Sequence, residues 1–248
     1  MKIVVLIKRV PDTAASIRIA SDGKSIVQDI ELVLSPYDEM AVEEAIQIKE
    51  NNGAEVVAVL LGPSDAKPQL RLALEMGADR AIHLVDDEAS LDMWGVAKEL
   101  AAVVEEEKPD LVIGGRTAVD LDQSFVAPAV AAMLDMPYLS AATNLDVDES
   151  AATIRHEVEG GYEVLRASLP CVVTTQKGIN EPRYPSLKSK IKAKRKKMDV
   201  REVGIRDAKV SLEKLEYPPK REGGRVLGEG TAGIEKLVDV LRDEVKLL

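Results

Sequence analysis

Three short stretches combine residue types and spacing that could hold a phosphate: Lys8-Arg9-Val10-Pro11-Asp12, Leu61-Gly62-Pro63-Ser64-Asp65, and Gly114-Gly115-Arg116-Thr117-Ala118-Val119-Asp120-Leu121-Asp122-Gln123-Ser124. Each follows an apolar run, and parallel α/β sheets bind ligands outside the carboxyl ends of their strands, where helix N-termini offer unpaired N–H groups to anions. The third stretch is the richest. Its two glycines let backbone approach a ligand, Arg116 can pair with a phosphate, and Gln123 and Ser124 open a helix expected from about Phe125 to Leu134, with amide, hydroxyl and N–H donors. The same residues also read as a plain strand-to-helix loop in which Arg116 pairs with Asp120 or Asp122. Neither the P-loop pattern nor the dinucleotide fingerprint is present, since no Gly-Lys-Ser/Thr follows and the glycine spacing differs. Asp120 and Asp122 would suit magnesium, but paired acids on a surface loop are more often solvated or capping groups.

Other reactive groups are few. Cys171 is the only cysteine, so no internal disulfide or thiolate cage can form, and in its apolar run Leu169 to Val173 it reads as core filler in a reducing cytosol. His83 and His156 lie far apart without ligand spacing, which disfavours a zinc site or a Ser-His-Asp triad. No sulfur pair, haem ligand set or cluster motif offers redox chemistry.

The elements that must position these stretches alternate. Lys2 to Lys8, Glu55 to Leu61, Arg80 to Val85 and Asp110 to Ile113 are Val-, Ile- and Leu-rich, as parallel strands buried on both faces tend to be. Between them, Ser35-Pro36-Tyr37-Asp38 combines an N-cap serine, a proline at the first helical position and an acid three residues after the cap, so a helix opens there and stops at Gly53. Ser64 to Met76, stopped by Gly77, and Ser90 to Glu107, stopped before Lys108-Pro109, repeat the scheme. A mostly parallel, Rossmann-like α/β sheet with helices on both faces follows. Ile17 to Ile19 and Ile26 to Ile30 read as a β-hairpin about Asp22-Gly23. Thr143 to Val147, Thr153 to Val158, Tyr162 to Ala167 and Cys171 to Thr175 read as antiparallel additions with turns at Asp148-Glu149 and Gly160-Gly161. Residues 1–197 are thus expected to form the α/β domain. Residues 198–248 read as an extended arm, with Tyr217-Pro218-Pro219 and Glu222-Gly223-Gly224 along it and a closing amphipathic helix from Ile234 to Val245, laid against the domain or a partner.

The chain has 248 residues, 46% of them hydrophobic, enough for a full core. The first apolar run, Ile3 to Ile7, is too short for a signal-peptide core or a membrane span, so a cytoplasmic protein without membrane insertion is expected. A net charge of −10 argues against nucleic-acid partners. Within that acidic chain Lys188 to Lys197 is strongly basic, either a solvated helix face or a local patch for acidic surfaces.

The run Glu157-Val158-Glu159-Gly160-Gly161-Tyr162-Glu163-Val164-Leu165-Arg166-Ala167-Ser168-Leu169-Pro170-Cys171-Val172-Val173-Thr174 resembles the signature segment of electron transfer flavoprotein β subunits. Asn180-Glu181-Pro182-Arg183-Tyr184-Pro185-Ser186-Leu187, the lysine-rich stretch after it, Lys8 to Asp12, Ser35 to Glu39, Ala41 to Ala45 and Ala73 to Arg80 are similar to the same family, so the resemblance spans Met1 to about Lys197. It implies a heterodimer whose α subunit holds the redox-active FAD, while this chain, an electron-carrier subunit and not itself an enzyme, holds AMP as a structural ligand. The nucleotide would lie against Leu6, Ser35, Pro36, Tyr37, Asp38, Leu61 and the loop Gly115, Arg116, Thr117, Ala118, Val119, Asp120, Leu121, Asp122, Gln123, Ser124, Phe125 and Val126, with Tyr37 approaching the partner's flavin.

By the same resemblance, a recognition loop over about 180–192, including Asn180, Glu181, Pro182, Arg183, Tyr184, Leu187, Ile191 and Lys192, would dock acyl-CoA dehydrogenases or related flavoenzymes, with Leu187 as anchor. Electrons would pass on to a quinone-reducing oxidoreductase, in fatty acid oxidation. The basic stretch then gains a role, steering acidic partners into brief encounters. The loop departs from the pattern of the electron-bifurcating, NADH-linked branch, where a second FAD replaces AMP: Leu121, Phe125 and Ala127 stand for a glycine, a glutamine and a glycine. They differ from the usual AMP-type loop as well, so AMP, a second FAD and an empty site all remain open. A reading of another class is an adenine-nucleotide-cleaving enzyme or nucleotide sensor on a similar sheet.

Overall fold

The computed structural model describes residues 1–27, 29–86, 92–203, 208–220 and 223–248. In chain order the first half comprises β1 (Lys2–Ile7), β2 (Arg9–Pro11), β3 (Leu32–Leu34), α1 (Pro36–Asn52), β4 (Glu55–Gly62), α2 (Lys67–Met76), β5 (Arg80–Val85), α3 (Met93–Glu107) and β6 (Leu111–Gly115). The second half comprises α4 (Val126–Met133), β7 (Tyr138–Val147), β8 (Ala151–Val158), β9 (Gly161–Ser168), β10 (Cys171–Thr175), α5 (Leu187–Ala193), β11 (Met198–Glu202) and α6 (Gly230–Asp239). The chain divides into two compact units, Met1–Glu213 and Lys214–Leu248.

In the first unit the main sheet runs β11-β5-β4-β1-β6-β10-β7-β8-β9, parallel from β11 through β10 to β7, then antiparallel through β8 and β9. The apolar runs become strands because both faces are covered. Ile3, Val5 and Ile7 of β1 point into one core with α1 and α2, and Val4 and Leu6 point into a second with α3 and α4. The chain leaves β1 toward β4 on one side and later returns to β6 on the other, which makes the crevice between the β1 and β6 exits the topological switch point.

Proline opens α1, and Gly53 closes it in the left-handed conformation at φ 71°. Ser35 occupies the N-cap position, but its hydroxyl makes no capping bond, and Asp38 reaches not back to Ser35 but across to neighbouring strands. Helix α3 starts later than expected, capped by Asp92, whose Oδ1 accepts the Gly95 N–H at 2.9 Å; Ser90 lies outside the described residues.

Three further expectations are corrected. The hairpin about Asp22-Gly23 is shorter than expected: among the described residues Ile19 bridges Ile26, flanked by the Ala20 N–H donating to the Ser25 carbonyl and the Val27 N–H to the Arg18 carbonyl, both at 2.8 Å. The Asp22 carboxylate accepts the Lys24 and Ser25 amides, while β2 and β3 form a separate two-stranded ribbon. Cys171–Thr175 is parallel to both β6 and β7 and sits inside the sheet. Met198–Glu202, read as the start of the arm, is an edge strand of the main sheet, parallel to β5. In the second unit α6 begins four residues before Ile234 and gives way to a π-helical turn over Val240–Glu244.

Candidate functional site

A cavity of about 710 Å³ opens at the switch point. Its floor is the carboxyl ends of β1, β4 and β6 through Leu6, Leu61 and Gly114, one wall is α3 through Met93, Val96 and Leu100, and another is the loop into α4. Such a size falls within the range of small-ligand sites. Of the residues expected there, Leu6, Asp38, Leu61, Gly115, Arg116, Thr117, Ala118, Leu121, Gln123, Ser124, Phe125 and Val126 line it. Ser35, Pro36, Tyr37, Val119, Asp120 and Asp122 stand outside the lining.

Asp38 organises this end of the sheet. Its Oδ2 accepts the Lys8 amide at 2.8 Å and its Oδ1 the Gly115 amide at 2.9 Å, so one buried carboxylate ties the β1 exit to the β6 exit. Desolvation pushes its pKa up to about 7 against the opposing pull of those two amides. The amides that an anion might have used at these two exits are therefore already taken by the protein's own carboxyl. Gly115 owes its identity to the same contact: a Cβ there would lie 2.4 Å from Asp38 Oδ1 and 2.7 Å from Tyr37 Cβ. The close backbone approach at Gly115 is thus to the protein's own Asp38 and Tyr37, although Gly115 also lines the cavity. Gly114 does face the cavity, and a Cβ on it would meet only ordinary contacts at 3.8 Å. Buried Thr175 completes the joint, its hydroxyl donating to the Tyr37 carbonyl at 2.9 Å.

The cations at the strand exits divide sharply. Lys8 Nζ binds Asp120 at 2.8 and 2.9 Å, and Arg9 binds Asp65 at 2.8 Å. Asp122, at φ 49°, accepts from the Thr117 hydroxyl at 3.3 Å. Arg116, which was expected to pair with Asp120 or Asp122 if it did not meet a ligand, has no ion pair among the described residues and lines the cavity. Helix α4 opens beside it at Phe125 with no side-chain cap; of its first three residues Val126 and Ala127, both lining the cavity, carry N–H groups, while Pro128 has none. One end of the cavity is thus suited to an anion and the α3 side to an apolar group.

Two contributors escaped the sequence reading. Asp92, besides capping α3, accepts the Lys209 and Val210 amides on Oδ2 at 2.7 and 2.6 Å, and Ala208, Val210, Ser211, Leu212 and Glu213 line the cavity. Asp92 sits just after the residues at which the helix was expected to start, and nothing in 208–213 has a motif. Cys171, by contrast, is buried in the sheet with its thiol pushed up to about 11 by desolvation, which fits core filler.

The second expected site, 180–192, is built on α1. Asn180 Nδ2 donates to the Met40 carbonyl at 3.0 Å and to Glu44 at 2.8 Å. Arg183 forks onto Glu43 with Nε at 2.9 Å and NH2 at 3.0 Å, and onto Glu50 with NH1 at 2.5 Å. With Asn180 and Arg183 turned inward, Tyr184, Leu187 and Ile191 are left 89%, 76% and 55% exposed. Glu181 and Lys192 are exposed as well, and Pro182 is half-buried. Ser186 caps α5 by accepting the Ser189 amide at 3.2 Å, and Lys190 Nζ lies 5.2 Å from the centre of the Tyr184 ring. The basic stretch is not uniformly solvated, because Lys196 donates to the Leu74 and Ala78 carbonyls at 2.9 and 2.5 Å. Among the described residues no helix is long and apolar enough to cross a membrane.

The sequence matches the family model described as the electron transfer flavoprotein domain over residues 24–207. It is 38% identical over 258 residues to the electron transfer flavoprotein subunit beta of Bacillus subtilis (strain 168), covering all of both chains. It is 39% identical to the mitochondrial subunit beta of Arabidopsis thaliana, again over all of both chains, and 36% identical to the subunit beta of Syntrophomonas wolfei over all of this chain and 98% of that one.

Proposed function

Because the chain belongs to the electron transfer flavoprotein family as a β subunit, we propose that it serves as the structural half of an electron-carrying heterodimer: it holds AMP in the switch-point cavity, supports the FAD of an α subunit, and presents residues 180–192 to flavoenzyme donors of the acyl-CoA dehydrogenase kind. The observation that carries the nucleotide reading is the pairing of an uncommitted Arg116 with the uncapped N-terminus of α4 at one end of a cavity lined elsewhere by apolar side chains with a few polar ones among them. A guanidinium beside oriented N–H groups recognises a phosphate. The rest of the lining offers Leu6, Leu61, Val96 and Leu100, which suit the planar, weakly polar base of a nucleotide. The flavin, when held by the α subunit, supplies the redox chemistry; this chain's residues position, shield and dock.

The docking reading is supported by the way the 180–192 segment is held. An exposed leucine on a mobile loop would lose entropy on every encounter, whereas Arg183 and Asn180 fix this segment to α1 in advance. Electrons then leave for a quinone-reducing oxidoreductase.

The test is a ligand count. The heterodimer is denatured, and released FAD and AMP are quantified by absorbance and chromatography. One FAD and one AMP per heterodimer is the expected result. Two FAD and no AMP would replace this reading by the NADH-linked, bifurcating one, and ATP turnover by the chain alone would favour a nucleotide-cleaving enzyme.

A further inference from the structure

Asp92 performs two tasks with one carboxylate. Oδ1 caps α3 through the Gly95 N–H, and Oδ2 accepts both the Lys209 and the Val210 amides. Those two amides belong to residues 208–213, a segment without helix or strand that nevertheless supplies a wall of the cavity through Ala208, Val210, Ser211, Leu212 and Glu213. Within it Val210 and Leu212, two residues apart, are 63% and 54% exposed even though they line the cavity. Apolar side chains held at a cavity rim by hydrogen-bonded backbone gain burial when a ligand enters the cavity. The polarity is directional as well: Asp92 lies on the α3 side and Arg116 at the loop into α4.

We propose that Asp92 is a positioning residue of the cavity: by holding the Lys209 and Val210 amides it lays 208–213 along the rim as a strap, so that Val210 and Leu212 cover the apolar part of a nucleotide whose phosphate is at Arg116. The proposal rests on the reading that the cavity takes an adenine nucleotide. The carboxylate also acts against the reverse orientation, since a phosphate placed at the α3 end would meet a negative charge in place of a guanidinium. Accepting the Gly95 amide, then those of Lys209 and Val210, holds Asp92 below the ordinary aspartate range, which keeps that charge in place at neutral pH.

Asp92→Asn separates the two tasks. Asparagine caps a helix as well as aspartate does, so α3 keeps its start, but the amide nitrogen that replaces one oxygen is a donor and cannot accept from two N–H groups. In the heterodimer, hydrogen–deuterium exchange of the peptide covering 208–213 is compared between wild type and variant with and without added AMP, and AMP affinity is measured by calorimetry on complex stripped of nucleotide. The expected result is faster exchange of the Lys209 and Val210 amides in the variant, about tenfold weaker AMP binding as the strap-closed fraction falls, and an unchanged unfolding midpoint. Unchanged exchange would overturn the proposal, as would faster exchange with unaltered AMP affinity. A wild-type complex that binds no AMP would refute the nucleotide reading itself and the proposal with it. A second variant, Asp92→Ala, should show the same loss of AMP affinity together with a lowered unfolding midpoint from the missing cap; wild-type affinity in that variant would also overturn the proposal.

Discussion

Helix α1 carries three buried carboxylates, Asp38 at the cavity and Glu43 and Glu44 beneath the 180–192 segment; burial raises Glu44 as it does Asp38, whereas Asp38 and Glu43 are solved oppositely. Asp38, in the first turn at the cavity, receives only backbone amides; desolvation wins and its pKa rises to about 7. Glu43, little more than one turn later beneath the docking segment, is also pushed up by burial, but hydrogen bonds from Arg183 and Gln47 outweigh it and hold its carboxyl below the ordinary glutamate value. The cavity end is therefore tied by Asp38 through two short backbone bonds, alongside the Lys8–Asp120 and Arg9–Asp65 ion pairs, while Arg116 has no ion pair among the described residues. The docking end is rigidified by a charge fork that leaves apolar side chains free to meet a partner. On the proposed function both ends are preorganised, one for an anion and one for a protein surface.

The largest break in that comparison is expected from Gly115→Ala. The new Cβ would collide with Tyr37 Cβ, with the Asp38 backbone nitrogen at 2.9 Å, and with Asp38 Oδ1, a side-chain tip that is buried and held by the Gly115 amide. A loss of about 3 kcal/mol in urea unfolding is expected from such overpacking. Gly114→Ala, one residue earlier with only 3.8 Å contacts, should stay within about 1 kcal/mol of wild type. If the two variants were equally stable, the Asp38 joint would not be what holds the β1 and β6 exits together.

Arg183→Ala should rank second, at about 2 kcal/mol, because it leaves buried Glu43 without its guanidinium while the half-exposed arginine itself is partly screened. Its pH dependence sharpens the contrast. Arg183 also depresses Glu50, so in wild type both glutamates contribute stability that is fully present above their ordinary value of 4.5 and fades as pH falls through their lowered values. The gap between wild type and Arg183→Ala should then close on acidification below about pH 4. Asp38 works the other way: with its pKa raised from 3.8 to about 7, its neutral form favours the fold and that contribution is lost as pH rises across this window. Unfolding curves of wild type and Arg183→Ala between pH 3 and 8 read both trends.

Legibility followed chemistry that is local to an element. The β1, β4, β5 and β6 runs were readable because strands covered on both faces need uninterrupted apolar side chains, and α1 because Pro36 and Gly53 act on their own backbone. Pairing direction is not written in a strand's own composition, which is why Cys171–Thr175 was read as antiparallel. The edge strand Met198–Glu202 was missed because its half-covered pattern admits charges. The hairpin isoleucines are only partly covered, Ile17 being 42% exposed and Ile19, Ile26 and Ile30 half-buried. In the cavity, glycines, arginine and helix start were visible in one loop, whereas the Asp38 and Asp92 joints link residues far apart in sequence.

Arg116→Ala comes third and should act on binding alone. With no ion pair among the described residues, the guanidinium can be removed without stranding a buried charge, so the unfolding midpoint should not move. AMP affinity should fall about tenfold through loss of a charge-assisted contact to phosphate. Calorimetry on the stripped heterodimer, run at two ionic strengths, checks it. Undiminished affinity would shift the anion end of the cavity away from Arg116 and onto the α4 amides alone.

Leu187→Ala should have the smallest structural effect and a purely functional one. Leu187 is 76% exposed at the first turn of α5, so truncation removes little buried area and the Ser186 cap survives. If the side chain seats in a pocket on the donor flavoenzyme, electron transfer from that donor should slow about tenfold, the range expected for an apolar anchor, with flavin and nucleotide content unaltered. The loss should appear as a raised half-saturation concentration of the carrier that persists at high ionic strength. Charge removal at exposed Lys188 and Lys192 should instead lower the encounter rate at low salt and fade as salt screens it. Equal rates for Leu187→Ala and wild type at every salt concentration would strike 180–192 from the docking surface. The fork of Arg183 on Glu43 and Glu50 would then be a device for holding α1 and nothing more.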